Sequence, residues 1–254
     1  MTVYKIIVAY NGTAYHGWQW QSNNITIVQV LQDRFESVFK QKISISGASR
    51  TDAGVHALGQ VATFSLDMQI APETLKFAWN NALPLDILIQ DIFIVSQGFN
   101  PRHKVLSKTY KYSFFLERPL PLYQHCGWFF RQSVDFELLQ QALQIFVGEH
   151  DFRSFCTGYD MNSTIRRIDS IHLEYDNIMN AHIIIVKGPG FLRYMIRRIV
   201  GACLTVASRD GISCLDLQKA LDEKNPEQTL PNSPAKGLLL YEIKYEIDNN
   251  KELN

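Results

Sequence analysis

The residues best suited to chemistry lie in one short segment, residues 50–56, with the sequence RTDAGVH. In extended chain, side chains two positions apart point to the same side, so Arg50 and Asp52 are expected to face one way. An arginine there can keep a carboxylate ionised through charge-assisted hydrogen bonds, and Gly54 lets the backbone turn sharply or a ligand approach. The segment therefore predicts a charged carboxylate able to act as a nucleophile or to stabilise positive charge.

Two other interpretations of this segment stay open from the residues alone. A T-D-A-G tetrapeptide commonly forms a tight turn in which the aspartate side chain, here that of Asp52, bonds its own backbone. Alternatively, Asp52 and His56 lie four residues apart and could be two metal ligands on one helical turn. Gly54 and Val55 disfavour a helix there, and no third ligand stands nearby, so a site without metal is favoured.

The elements around this segment alternate between strands and helices, which predicts an α+β fold. Thr26 and Gln29 have the spacing of a capping box at the start of the first helix. The last helix is expected to have an apolar side and a cationic side, the latter with Arg193, Arg197 and Arg198. The main strands are expected at 3–10, 61–66, 87–95, 168–175, 181–187 and 239–247, and helices at 27–38, 72–83, 135–147 and 191–209.

Composition limits the class of protein. The 254 residues are 46% hydrophobic, enough to bury a sizeable core. No run of eighteen apolar residues occurs, and the apolar start lacks the basic region of a signal peptide, so we expect a cytoplasmic protein without a membrane segment. The four cysteines form no C-x-x-C pair, which argues against a disulfide framework or a zinc knuckle.

The charges of the chain balance, with 25 basic and 25 acidic residues. Bulk electrostatics therefore does not favour nucleic-acid binding, and any such site must come from local clusters of cations. Two cationic runs meet this need, one at residues 102–111 and one at residues 187–209. Each run is ordinarily a solvated face, but each could also contact phosphates.

Seven segments follow one another along almost the whole chain in a recognisable order. They are YNGTAYHGWQ at 10–19, RTDAGVHA at 50–57, NALP at 81–84, SKTYKY at 107–112, GEHDF at 148–152, GFLRYMIR at 190–197 and PAKGL at 234–238. In this order they resemble the bacterial tRNA pseudouridine synthase A family, although each alone is weakly specific. The sequence departs from that family at Asn11, where aspartate is usual, and at Ser49, where glycine is usual. Neither departure removes a group that the chemistry needs.

The resemblance implies a fold and an activity. The fold would be that of pseudouridine synthases, in which two similar strand-rich halves form a central mixed or antiparallel sheet flanked by helices, with the active-site cleft between them. We place these halves at residues 1–106 and 107–254. The activity would be conversion of uridine to pseudouridine at positions 38, 39 and 40 of the tRNA anticodon stem-loop, by a homodimer that needs neither cofactor nor metal.

The same resemblance implies roles for the residues of the site. Asp52 would be the catalytic aspartate that acts on a flipped-out uridine, and Arg50 and Arg197 would keep it ionised. Tyr110 would be the active-site tyrosine, whose ring stacks on the target base and whose hydroxyl could help to remove the proton from uracil C5. From bare sequence, a tyrosine in a strand is usually only a packing residue.

Further residues are expected to bind the substrate. Phe191 and Leu192 would form the apolar wall of the pocket, although as bare sequence they are simply apolar residues of a helix. The polar residues expected to bind substrate are Arg193, Lys108, Lys111, His56 and Arg198.

Three alternative functions remain. The chain could be a non-catalytic RNA-binding protein on the same scaffold, since a fold does not guarantee an activity. It could also be a sister synthase that modifies other positions or another RNA, or, more distantly, a metal-dependent hydrolase. Intact Arg50, Asp52 and Tyr110 favour catalysis.

Overall fold

The computed structural model of the chain describes residues 1–157, 163–209 and 211–246. These ranges contain five α-helices: α1 (Ile27–Phe39), α2 (Pro72–Ala82), α3 (Phe136–Gln144), α4 (Met195–Ala207) and α5 (Cys214–Glu223). They also contain the strands β1 (Thr2–Tyr10), β2 (Ser46–Gly47), β3 (His56–Leu66), β4 (Ile87–Val95), β5 (Val105–Phe115), β6 (Trp128–Phe129), β7 (Gly148–Asp151), β8 (Ile165–Ile168), β9 (Ser170–Asp176), β10 (Ala181–Gly188) and β11 (Leu238–Tyr245). The predicted α+β class is confirmed.

Nine of the strands form one mixed sheet with the order β4-β1-β3-β11-β5-β10-β9, to which β2 adds on β3 and β6 adds on β5. Neighbours along this order are antiparallel except β3 and β11, which run parallel with Leu239 opposite His56. The predicted mixed sheet is therefore confirmed, while the division at residue 107 stays a prediction. Because β11 lies between β3 and β5, it brings the beginning of β3 close to the middle of β5.

Aromatic side chains join the helices to the sheet. Phe64 of β3 stacks on Tyr4 of β1 and meets the rings of Phe35 in α1 and Trp79 in α2 at 5.5 and 5.4 Å between centroids. In the other part of the sheet, Phe136 of α3 lies 4.5 Å from the ring of His182 in β10. The first set of contacts packs α1 and α2 on the sheet, and the second packs α3 on β10. Within the three described ranges, no helix is long and apolar enough to cross a membrane.

The ends of the helices show where local sequence signals are enough to predict the first residue of a helix. Thr26 accepts a hydrogen bond from the Gln29 N–H at 3.4 Å, which confirms the predicted start of α1. The prediction of helix from residue 191 is wrong, because Tyr194 has the left-handed φ of +63° and α4 begins only after it. The prediction also lacked α5, although Ser213 and Asp216 form a complete capping box at its start.

The last strand, β11, forms the parallel pair with β3 in the sheet. It was expected to extend from residue 239 to 247, and the structure has it from Leu238 to Tyr245. Ile247, which was expected to belong to it, lies outside the described residues.

Candidate active site

The aspartate loop, residues 47–55, leads from β2 into β3 and contains the candidate catalytic residue. The carbonyl of Asp52 accepts a hydrogen bond from the N–H of Val55 at 3.1 Å, which closes a tight turn. Gly54 within this turn has a φ of +77°, a conformation that favours glycine. Asp52 is therefore presented at the end of the loop, just before β3 begins.

The Asp52 carboxylate points away from its own turn and towards α4. Its Oδ2 lies 3.3 Å from Nη1 of Arg197, and its Oδ1 lies 3.9 Å from Nε of Arg193. The side chains of Asp52 and Arg197 are only 14% and 13% exposed, whereas that of Arg193 is 65% exposed. The turn is closed by the Asp52 backbone and not by its side chain, so the interpretation of Asp52 as a simple turn residue is not supported.

Two opposing effects act on the Asp52 carboxyl group. Burial raises its pKa above the ordinary value for aspartate, and the guanidinium groups of Arg197 and Arg193 oppose that rise. Burial is the larger effect, so the arginines limit the rise without cancelling it. A carboxylate that is poorly hydrated but paired with arginine is suited to attack an electrophilic carbon or to stabilise a positively charged sugar.

Tyr110 of β5 is the second group in the site. It is 6% exposed, its hydroxyl lies 2.7 Å from the hydroxyl oxygen of Ser49, and its ring meets that of Phe191 edge-on at 5.4 Å between centroids. The pKa of Tyr110 is raised to about 12, mainly by burial, with the Ser49 hydrogen bond opposing the rise and the charge of Asp52 adding to it. Tyr110 is therefore a neutral phenol at neutral pH and lies within electrostatic range of the carboxylate.

Two cations hold the beginning of the aspartate loop. Nζ of Lys108 donates to the carbonyl of Ala48 at 2.8 Å, and Nε of Arg102 donates to the carbonyl of Gly47 at 3.0 Å. Burial, together with the charges of Arg102 and Arg166, lowers the pKa of Lys108 to about 8. The site thus combines a paired carboxylate, a neutral phenol and a group of cations near the loop.

A family model described as tRNA pseudouridine synthase matches residues 6–99 and 142–246 of the chain. These ranges include the aspartate loop and α4, which supply the ion pair of Asp52 and Arg197. The chain belongs to the tRNA pseudouridine synthase family.

Individual members of this family are similar to the chain over nearly its whole length. A tRNA pseudouridine synthase A of Geotalea daltonii is 37% identical over 245 residues, which cover 95% of this chain and 98% of the relative. Proteins of the same name from Chlamydia pneumoniae and Thermodesulfovibrio yellowstonii are 35% and 33% identical, covering 98% and 95% of this chain and 94% and 98% of theirs. The resemblance inferred from the seven segments is confirmed.

The structure brings together most of the residues expected in this family's site. Asp52, Arg197 and Arg193 form the ion pairs, while Tyr110 and Phe191 form the aromatic contact. The other two expected residues that lie here are Lys108, bonded to the aspartate loop, and Leu192, which is buried beside Phe191.

Arg50 differs from its expected position. Its side chain is exposed, and among the described residues the ion-pair partners of Asp52 are Arg193 and Arg197. The rule that residues two apart share a side holds for extended chain, whereas Asp52 begins a turn. The expected pairing of Arg50 with Asp52 is therefore wrong, and Arg193 instead pairs with Asp52 alongside Arg197.

His56 is buried at the start of β3, and both of its ring nitrogens have partners within the protein. Nδ1 accepts from the N–H of Gly12 at 3.1 Å, and Nε2 lies 2.8 Å from the carbonyl of His125, to which it donates. Burial also lowers the pKa of His56, which favours this neutral form. Neither nitrogen is left for substrate or for a metal shared with Asp52, so the expected binding role is replaced by a structural one.

Two further cations point away from the site. Lys111 follows Tyr110 in β5 and so points to the other face of the sheet, where its Nζ lies 4.0 Å from the ring centre of Tyr241. Arg198 donates to the carbonyls of Ser154 and Cys156 at 3.3 and 3.0 Å. The expectation that these two residues bind substrate is not supported, because alternation in a strand and rotation along a helix separate them from Tyr110 and Arg197.

Sequence reasoning missed Gln60, a fully buried residue of β3. Its carboxamide accepts from the N–H of Ser49 at 3.2 Å and donates to the carbonyl of Ser49 at 2.6 Å. The available signal was an amide side chain within a run of apolar strand residues, since a buried polar group needs partners.

Proposed function

We propose that the protein isomerises uridine to pseudouridine at positions 38, 39 and 40 of the tRNA anticodon stem-loop, acting in the cytoplasm as a homodimer and without a cofactor. Membership of the tRNA pseudouridine synthase family supports the reaction and the class of RNA. The single observation that carries the proposal is the buried ion pair of Asp52 and Arg197 beside the phenol of Tyr110.

The reaction breaks the bond from uracil N1 to ribose C1′ and makes a bond from C5 to the same carbon. Asp52 assists the first step as a nucleophile or by stabilising positive charge on the sugar, and Arg197 keeps it charged while it does so. The base then rotates, C5 bonds to C1′, the C5 proton leaves and N1 takes up a proton. Tyr110 stacks on the base and its hydroxyl assists removal of the C5 proton.

The target uridine must leave its stack to reach Asp52, at a cost of roughly a few kcal/mol. Arg50 and Arg193 are exposed beside the aspartate and are the cations best placed to contact the phosphates or the extruded base. Phe191 and Leu192 line the apolar side of the pocket next to Tyr110. These contacts read shape and backbone more than base identity, which suits a target of several neighbouring uridines.

The experiment that tests this function supplies tRNA with tritium at uracil C5 and measures the tritium released to water. Wild-type protein is expected to release it without added metal or nucleotide, and Asp52→Asn to release none, because the amide cannot act as a carboxylate. Asp67→Asn is the matched control, since Asp67 is exposed in the turn after β3, and it is expected to behave as wild type.

The outcomes separate the alternatives. Retention of the label by a folded wild-type protein on a proven anticodon-arm substrate would favour the non-catalytic RNA-binding protein. Release that maps outside positions 38 to 40 would instead identify a sister synthase. Sedimentation of the free protein tests the homodimer independently of activity.

A further inference from the structure

The Ser49 backbone is held in a defined position by the neighbouring strand β3. Gln60 bonds both the N–H and the carbonyl of Ser49, so its carboxamide acts as a strand partner for this one residue. The preceding residue is fixed as well. The N–H of Ala48 donates to the carbonyl of Val61 at 2.8 Å, and the carbonyl of Ala48 accepts from Nζ of Lys108. The backbone that carries the Ser49 hydroxyl is therefore fixed by three buried or half-buried residues of β3 and β5.

This hydroxyl is aimed at the functional end of Tyr110. The two oxygens are 2.7 Å apart, which is an ordinary length for a hydrogen bond between hydroxyl groups. Phe191 meets the other part of the same residue, its ring, edge-on. The phenol is thus held at two places, with the aromatic contact limiting the ring and Ser49 limiting the oxygen.

We propose that Ser49 is a positioning residue for the isomerisation, which holds the phenol oxygen of Tyr110 where it assists removal of the proton from uracil C5. The inference rests on the proposed function and adds a residue to it. In either direction, the hydrogen bond between Ser49 and Tyr110 fixes the rotation of the phenol hydroxyl and therefore the direction in which its oxygen lone pairs face. It also opposes the effect of burial and of Asp52 on the pKa of Tyr110.

The test compares Ser49→Ala, Ser49→Thr and Ser49→Cys in single-turnover tritium release at saturating tRNA. Ser49→Ala is expected to slow release about tenfold, which corresponds to the loss of one hydrogen bond that orients the phenol. It should also enlarge the isotope effect of deuterium at C5, because proton removal becomes rate-limiting, and leave the Kd for tRNA unchanged. Ser49→Thr retains the hydroxyl and should stay within about threefold of wild type.

Ser46→Ala is the matched control, since Ser46 is exposed in β2 three residues earlier. Ser49→Cys has a side chain of similar size to serine, but its thiol is a weaker hydrogen-bond donor. If the alanine variant does not fold, the isotope effect of Ser49→Cys tests the proposal instead. An isotope effect equal to that of wild type in Ser49→Ala, or in Ser49→Cys where the alanine variant is unfolded, would overturn the proposal, whatever the rate. Wild-type protein that releases no tritium would refute the proposed function itself, a result visible without any Ser49 variant.

Discussion

Two regions that meet at the Asp52 carboxylate are held very differently. On one side is the aspartate loop, and on the other is the pre-helix segment, residues 189–194. The loop is bonded to the sheet through Ser49 and Gln60 and through the buried hydroxyls of Thr51 and Tyr10, which lie 2.7 Å apart. The pre-helix segment ends in a left-handed residue and carries the largely exposed Arg193.

Two kinds of cation meet this carboxylate, a fixed one from α4 and an exposed one from the pre-helix segment. Arg197 lies inside α4, is nearly buried, and also donates through Nε to the carbonyl of Ser233 at 2.8 Å. Arg193 meets Asp52 at longer distance, with its guanidinium 4.9 Å from the ring centre of Tyr194. A fixed cation suits the chemical step, because it needs no reorganisation, whereas an exposed cation can turn towards an arriving phosphate.

The largest effect is expected from Arg197→Gln, which leaves the Asp52 carboxylate buried without its main partner. Breaking such a pair is costly, and we expect a fall of at least about 100-fold in single-turnover rate at neutral pH. Arg197 lowers the pKa of Asp52, so its removal raises that pKa further. Asp52 then becomes protonated at a higher pH than in wild type, and the acid limb of the pH-rate profile shifts to higher pH.

Arg198→Gln is the control for this variant, because the neighbouring side chain bonds the carbonyls of Ser154 and Cys156 instead of Asp52. It should lower the free energy of unfolding without moving the acid side of the profile. An unmoved profile in Arg197→Gln would show that Arg197 does not control the ionisation of Asp52.

The next effect concerns the rigidity of the aspartate loop. Gln60→Ala removes two hydrogen bonds from the backbone of Ser49 and should lower the free energy of unfolding by about 2 kcal/mol. Urea denaturation measures this change, with Gln140→Ala on the exposed side of α3 as a control expected within about 0.5 kcal/mol of wild type. Equal stability of both variants would mean that the loop does not depend on the carboxamide.

The smallest effect is expected from Arg193→Gln. An exposed ion pair contributes at most about 1 kcal/mol, so the rate should fall no more than roughly fivefold. The acid limb of the pH-rate profile should again shift to higher pH, but by less than in Arg197→Gln. The reason is that Arg193 lowers the pKa of Asp52 less than Arg197 does. The difference from wild type should shrink in high salt. A loss as large as that of Arg197→Gln would show that the exposed cation matters as much as the buried one.

Local patterns predicted most of the strands and helices. The strand Ile87–Val95 was predicted at its exact bounds, and the cap of α1 at Thr26 followed from neighbours a few residues apart. The start of α4 could not be predicted in this way, because the apolar spacing of Phe191 and Leu192 continues the pattern of the helix. Only the left-handed backbone of Tyr194 ends it, and that conformation depends on the packing around it.

The sequence by itself determined the family and the α+β class and singled out Asp52 as the candidate catalytic residue, since seven ordered segments and short-range patterns carry that information. Only the tertiary structure decided which groups meet the carboxylate. Arg50 is two residues away and turns to solvent, whereas Arg197 is 145 residues away and forms the pair. The reason is geometric: a turn reverses the direction of side chains within a few residues, while the packing of α4 on the sheet brings a distant helix face against the loop.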